Sequence, residues 1–304
     1  MRYPNTYPCS LCGSVGQMHE LIDDLPYYLC ASCNFLYMPE QYSAVDYDGN
    51  YWQNEYEEAA RREKEDCCLR ALELLYLSKI PVKKMLDFGC GLGITVNWLR
   101  SQLGVDAYGI DTYGRFEANE YLLKEDILTT DKFDRESFEA IMSIEVVEHL
   151  PQDVIVPIFE RLRDLLKPGG LMLINTGTLE FTMENSDNKK YIDPSTRGHI
   201  SIFSTKTFDS LAGKLGLIHI PMWSRTWCSL FLKPKAGIDK QITPWKCLEV
   251  NGNIIRKMSP MFHLVRQSLW AEELNAIGGK WGLKPPQKMK EFLKKWLFRN
   301  FRHN

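Results

Sequence analysis

Two rhythms of apolar and polar positions alternate along most of this chain. From Pro81 onward, short apolar runs take turns with stretches of helical spacing. Met85-Leu86-Asp87-Phe88 predicts a strand that runs into glycines, Ile94 to Leu103 a helix, and Ala107 to Asp111 a second strand. Tyr121-Leu122-Leu123 predicts a third strand and Phe138 to Ile144 a fourth. Val154 to Leu166 predicts a helix, stopped by Lys167-Pro168-Gly169-Gly170, and Leu171 to Ile174 a fifth strand. Phe208 to Leu215 reads as a helix closed by Gly216, followed by late strands at Leu217 to Met222 and Ser229 to Leu232. Short links between alternating elements predict an α/β fold: a doubly wound, mostly parallel seven-stranded sheet with helices on both faces. Thr112 to Glu120 is short for a crossover helix.

The rhythm differs on either side of this core, which spans residues 81–235. Residues 1–45 are punctuated by Pro and Cys and predict a small module of turns and short strands. Residues 46–80 predict a helical linker or lid, with Leu69, Leu72, Leu75 and Tyr76 at helical spacing. Its charged run Arg61-Arg62-Glu63-Lys64-Glu65-Asp66 reads as a solvated face. Residues 236–304 predict a helical C-terminal extension containing Trp245, Trp270, Trp281 and Trp296.

Charge narrows the function classes. The 304 residues carry a net charge of −2, so no global field points to nucleic acid. The last 25 residues alone carry +7, which leaves −9 for the other 279. No apolar run reaches 18 residues and the first residues are not a signal peptide, so a cytoplasmic protein is expected. Nine cysteines, an odd number, argue against a disulfide framework. Five of them (Cys67, Cys68, Cys90, Cys228 and Cys247) are scattered and read as small buried side chains.

The most informative motif is Asp87-Phe88-Gly89-Cys90-Gly91-Leu92-Gly93, a glycine loop between a strand and a helix. Glycines there let the backbone approach a ligand closely. A nicotinamide fold prefers G-x-G-x-x-G, whereas Ile94 occupies the third glycine's place here. Asp87 can meet an ammonium group, Asp111 at the end of the second strand can accept two ribose hydroxyls, and Asp126 can meet an adenine amino group. This set, with Lys167-Pro168-Gly169-Gly170, resembles the class I methyltransferases over about residues 82–233. The resemblance implies S-adenosylmethionine as methyl donor. Asp87, Gly89, Cys90, Gly91 and Gly93 would hold its methionine part, Asp111 the ribose, and Asp126 with Ile127 the adenine rim.

A second constellation follows the fourth strand: Glu145, Glu148 and His149, with His199 much later. Carboxylates with imidazoles suit a divalent cation such as Mg2+. E-x-x-E-H resembles the small-RNA 3′-terminal 2′-O-methyltransferases and the ubiquinone-biosynthesis O-methyltransferases. In those families the residues hold a metal that binds neighbouring substrate hydroxyls. A metal-free general base at His149 or His199 and a purely structural cluster stand beside that reading.

Cys9-x2-Cys12 and Cys30-x2-Cys33, 17 residues apart, match a closed structural Zn2+ site with four thiolate ligands. With only Arg2 basic before Arg61, the module is a poor match for nucleic acid. The combination resembles methyltransferases of sugar and polysaccharide biosynthesis, including C-methyltransferases that are longer after the core.

At the far end, Met289, Phe292, Leu293, Trp296 and Leu297 form one helical stripe among Lys and Arg. It suits packing on the domain or a partner subunit, or peripheral contact of residues 285–304 with an anionic membrane face. The expected activity is O-methylation of a hydroxyl on a sugar, glycan or comparable small molecule. RNA 2′-O-methylation and a non-catalytic cofactor- or partner-binding protein are the competing classes.

Overall fold

The computed structural model describes residues 3–39, 50–222, 228–238 and 251. The C-terminal stripe, Cys247, the four late tryptophans, and the side chains of Tyr51 and Trp52 lie outside the described residues. Among the described residues no helix is long and apolar enough to cross a membrane.

Two sheets organise the chain. The larger contains β5 (Lys84–Phe88), β6 (Asp106–Ile110), β7 (Leu122–Leu123), β8 (Phe138–Ile144), β9 (Leu166–Asn175), β11 (Ile218–Pro221) and β12 (Cys228–Leu232). Their order is β11-β12-β9-β8-β5-β6-β7. Neighbours from β9 through β7 run parallel, and β12 is antiparallel to both β9 and β11. The seven strands expected from the sequence are therefore present, with one difference at β9. That strand takes in Lys167-Pro168-Gly169-Gly170, because the N–H of Gly169 (φ +82°) donates to Lys233 O, the Lys233 N–H donates to Gly170 O, and a register shift absorbs the turn.

Burial explains why strand and helix alternate. β8 is buried at every position and sends Phe138 and Ile141 to one face, Ala140 and Met142 to the other. Helices α4 (Gln152–Leu165) and α7 (Thr205–Leu215) cover the first face through Ile155, Phe159, Leu162, Phe208 and Leu211. The second face is covered by α2 (Cys68–Leu77) and α3 (Ile94–Trp98) through Leu72, Leu75 and Val96, and by Leu99 just beyond α3. Truncating any one of these large side chains to alanine costs about 2–5 kcal/mol. The segment 112–120 holds no helix; the chain crosses from β6 to β7 in bends.

The smaller sheet joins the N-terminal module to the core. It orders β1 (Thr6–Pro8), β2 (Val15–Ile22), β3 (Leu25–Cys30), β4 (Phe35–Tyr37) and β10 (Ser201–Ile202). β10 lies far from β4 along the chain and pairs with it. Phe35 meets Phe203 at 5.2 Å between ring centres, and Phe203 stacks on Phe208 of α7 at 4.8 Å, so the two parts share one apolar core.

Between them, α1 (Asn50–Arg62) leads through a π-helical stretch, Glu63–Cys67, into α2.

Candidate active site

In an open α/β sheet, ligands bind beyond the carboxyl ends of the strands where the strand order reverses. Here that point lies between β5 and β8, because β6 and β7 extend to one side of β5 and β9 extends beyond β8. A cavity of about 710 Å3 opens there, lined by Asp87, Gly89, Cys90 and Gly91 from one strand end and by Glu145, Val146 and His149 from the other. Asp111, Asp126, Ile127 and Leu128 close its second side.

Gly93 lies beneath the loop, outside the lining. It caps α3 at φ +71°, where a Cβ would press on Leu122. Asp111 holds the loop in place: one carboxylate oxygen accepts the Gly91 N–H at 2.9 Å and the other the Tyr113 N–H at 2.8 Å. Asp126 is exposed and accepts the Leu128 N–H at 2.8 Å.

Residue-level reasoning on the sequence missed Glu63. The charged run is solvated at Arg61, which pairs with Glu58 and Glu65, but Glu63 turns inward and is buried. Its two carboxylate oxygens accept the Leu92 N–H at 2.6 Å and the Ile94 N–H at 2.9 Å. They thereby satisfy amides that α3 cannot bond itself. Asp87 and Asp111 lie close enough for the three acids to raise one another. Burial, then the neighbouring carboxylates, pushes Asp87 up, and burial pushes Glu63 up to about 7. Three carboxylates around one cavity favour a cationic ligand.

Because Glu63 holds its proton longer folded than unfolded, it stabilises the ligand-free fold fully below about pH 4.5. That contribution is lost as pH rises through about 7. The melting temperature of the parent is therefore expected to fall more steeply between pH 5 and 8 than that of Glu63→Gln. Parallel curves would show that Glu63 does not titrate in this window.

The second cluster forms the cavity's inner wall. Glu148, His149 and His199 bring one donor atom each within 4.8 Å of one another. His149 faces the cavity, whereas Glu148 and His199 are buried behind it. Each imidazole bonds a carbonyl, which can only accept: His149 Nδ1 donates to Gly198 O at 3.3 Å and His199 Nδ1 to Tyr191 O at 2.5 Å. The neutral rings thus keep their lone pairs on Nε2, the arrangement common behind metal-ligating histidines. Burial, then His149, pushes His199 down to about 4.

Tyr191 Oη donates to Glu148 Oε1 at 2.7 Å, while buried Glu148 Oε2 has no hydrogen-bond partner. Burial alone would raise Glu148, yet the two imidazoles and the Tyr191 hydroxyl hold it below the usual carboxylate range. An orphaned buried carboxylate oxygen beside two imidazoles fits a divalent cation.

Glu145 stands outside this group of three. It sits at φ +54° and its Oε1 accepts from Asn175 Nδ2 at 2.8 Å. Asn175 Oδ1 in turn accepts from Arg70 Nε at 3.1 Å, and Arg70 pairs with buried Glu73.

The four cysteines of the module also converge. Cys9 and Cys33 Sγ lie 3.7 Å apart, Cys9 and Cys12 3.8 Å, Cys12 and Cys30 3.5 Å. A tetrahedron with metal–sulfur bonds of about 2.3 Å has edges of about 3.8 Å. Gly13 at φ +74° and Asn34 at φ +59° close the turn after each pair.

A glycine loop and carboxylates at the switch point of this sheet define a class I, S-adenosylmethionine-dependent methyltransferase. Residues 56–219, more than half of the chain, match the methyltransferase-domain family, and the chain belongs to it. A ubiquinone biosynthesis O-methyltransferase of Cereibacter sphaeroides is 33% identical over 103 residues, 31% of this chain and 40% of that protein. Phosphoethanolamine N-methyltransferase 2 of Caenorhabditis elegans is 26% identical over 153 residues, 46% of this chain and 33% of that one. The chain thus spans two-fifths or less of these two relatives. A solved 1,6-didemethyltoxoflavin-N1-methyltransferase of Burkholderia thailandensis has a TM-score of 0.44 at 13% identity, covering 72% of this chain and 99% of that one.

Proposed function

We propose that the chain O-methylates a small molecule carrying neighbouring hydroxyls, with sugars and glycans as the first class to test. The observation that carries this reading is the unpartnered Glu148 Oε2 between His149 and His199, next to the cavity. Asp87 and the loop glycines receive the methionine part of the donor, Asp111 the ribose, and Asp126 with Ile127 the adenine. Glu148, His149 and His199 would hold a divalent cation, which would supply a lowered pKa at an acceptor hydroxyl. Glu145, kept near them by Asn175, lines the acceptor side. The hydroxyl oxygen attacks the sulfonium methyl carbon, its proton leaves to solvent, and the C–S bonding pair returns to sulfur. S-adenosylhomocysteine and a methyl ether result. The protein's main contribution is to align the two reactants in line. Residues 1–45, in this reading, are a module closed by structural zinc on Cys9, Cys12, Cys30 and Cys33.

Nucleotide sugars, glycans, catechols and short RNAs, incubated with labelled donor and Mg2+ or Mn2+, test the assignment. A methyl ether on a small molecule is expected, with turnover abolished by chelation and lowered at least about 100-fold by His199→Ala. Chelator-resistant turnover would leave His149 or His199 as a metal-free base. Methylation of RNA or of nitrogen would overturn the acceptor class.

A further inference from the structure

Four residues, 199–202, connect the two candidate metal sites. On one side this segment is bonded to the turn that carries the acceptor cluster. Ile200 N–H donates to Glu148 O at 2.9 Å, and the Ser201 hydroxyl donates to Leu150 O at 2.6 Å. On the other side it is bonded to the cysteine module. The Tyr27 hydroxyl donates to His199 O at 2.7 Å, Met38 N–H donates to Ile200 O at 2.8 Å, and Ser201 and Ile202 pair with Tyr37 and Leu36.

The module residues that make these bonds sit on the two strands joined through the second cysteine pair. Tyr27, fully buried, lies on β3, which ends at Cys30; Leu36 and Tyr37 lie on β4, just beyond Cys33. Cys33 O also accepts from Thr207 Oγ1 at 2.9 Å, which ties the same turn to the start of α7. A unit of fewer than 40 residues cannot bury enough surface to hold two such short strands alone. Ligation at the cysteines supplies that order.

We propose that the four-cysteine module is the platform that positions His199, with the Tyr27 hydroxyl as a positioning residue, so that the ion on the cysteines governs assembly of the acceptor-side cation site. This rests on the reading of Glu148, His149 and His199 as ligands. It assigns the module an internal task in place of recognition of a macromolecule.

The test uses the full chain with zinc on its cysteines and Mn2+ alone as the probe, followed by electron paramagnetic resonance. Tyr27→Phe, which removes one buried hydrogen bond to the His199 main-chain carbonyl, is expected to weaken Mn2+ binding about 2- to 10-fold. It should speed amide exchange at 200–202 and leave zinc content and S-adenosylhomocysteine affinity unchanged. His199→Ala serves as the separate check on the site itself: Mn2+ binding that survives it would sink the ligand reading. If His199→Ala loses Mn2+ while Tyr27→Phe keeps the parent's Mn2+ affinity and exchange rates, the platform idea is wrong. Should Tyr27→Phe fail to fold, the parent stripped of zinc decides. Faster exchange at 200–202 supports the proposal, and unchanged exchange overturns it.

Discussion

Glu148→Gln is expected to lower turnover at least about 1000-fold while leaving the protein folded. Glu148 is fully buried, with one oxygen bonded to Tyr191 and the other without a hydrogen-bond partner among the described residues. An unsatisfied buried charged group costs about 1–3 kcal/mol or more. His149, His199 and the Tyr191 hydroxyl offset that cost, since together they hold Glu148 below the usual carboxylate range. Glutamine has nearly the same shape, keeps an acceptor for Tyr191 and removes the charge. It also removes the anionic donor that a cation needs. Thermal unfolding and donor binding should therefore show a cooperative melting transition and intact S-adenosylmethionine affinity alongside lost Mn2+ binding and lost turnover. A structural role predicts something different: ordinary turnover with altered stability. Retained turnover would move the chemistry away from this cluster.

What the sequence made legible follows from how local each signal is. The glycine loop, the cysteine pairs and the strand–helix alternation are carried by residues within a few positions of one another. Glu63 was not legible. At 3.6 residues per turn it falls among the solvated charges of its run, but the π-helical stretch beginning there widens the turn and swings it under the loop. The partners of the acceptor cluster are distant in sequence. Tyr191 reaches Glu148 across 43 residues, and Arg70 reaches Asn175 across 105. Nothing in spacing encodes such meetings. β10 is equally silent, because two residues show no period, yet it binds the cysteine module to the His199 segment. The sequence pattern E-x-x-E-H suggested four converging ligands. The fold brings three donors together and turns Glu145, at positive φ, toward Asn175.

The other large effect belongs to the loop. Gly89→Ala is expected to abolish detectable binding of S-adenosylmethionine and to destabilise the fold by about 2–4 kcal/mol. Position 89 has φ +78°, and an added Cβ would stand 2.2 Å from Val146 Cγ2 and 2.9 Å from Val146 Cγ1. Val146 is branched at Cβ and held between Glu145 and Val147, so it cannot swing away without moving the turn that leads to His149. Donor loop and acceptor turn therefore touch at a single glycine, and the damage should reach both sides: weaker Mn2+ binding as well as lost donor binding. Gly216→Ala separates conformational strain from this collision. Gly216 also has positive φ, at +66°, but a Cβ there meets nothing within 4 Å. Its replacement should cost only about 1 kcal/mol, with S-adenosylhomocysteine affinity unchanged in titration calorimetry. If the two variants lose the same stability and Gly89→Ala still binds the donor, the close approach of loop and turn is not what shapes the cofactor seat.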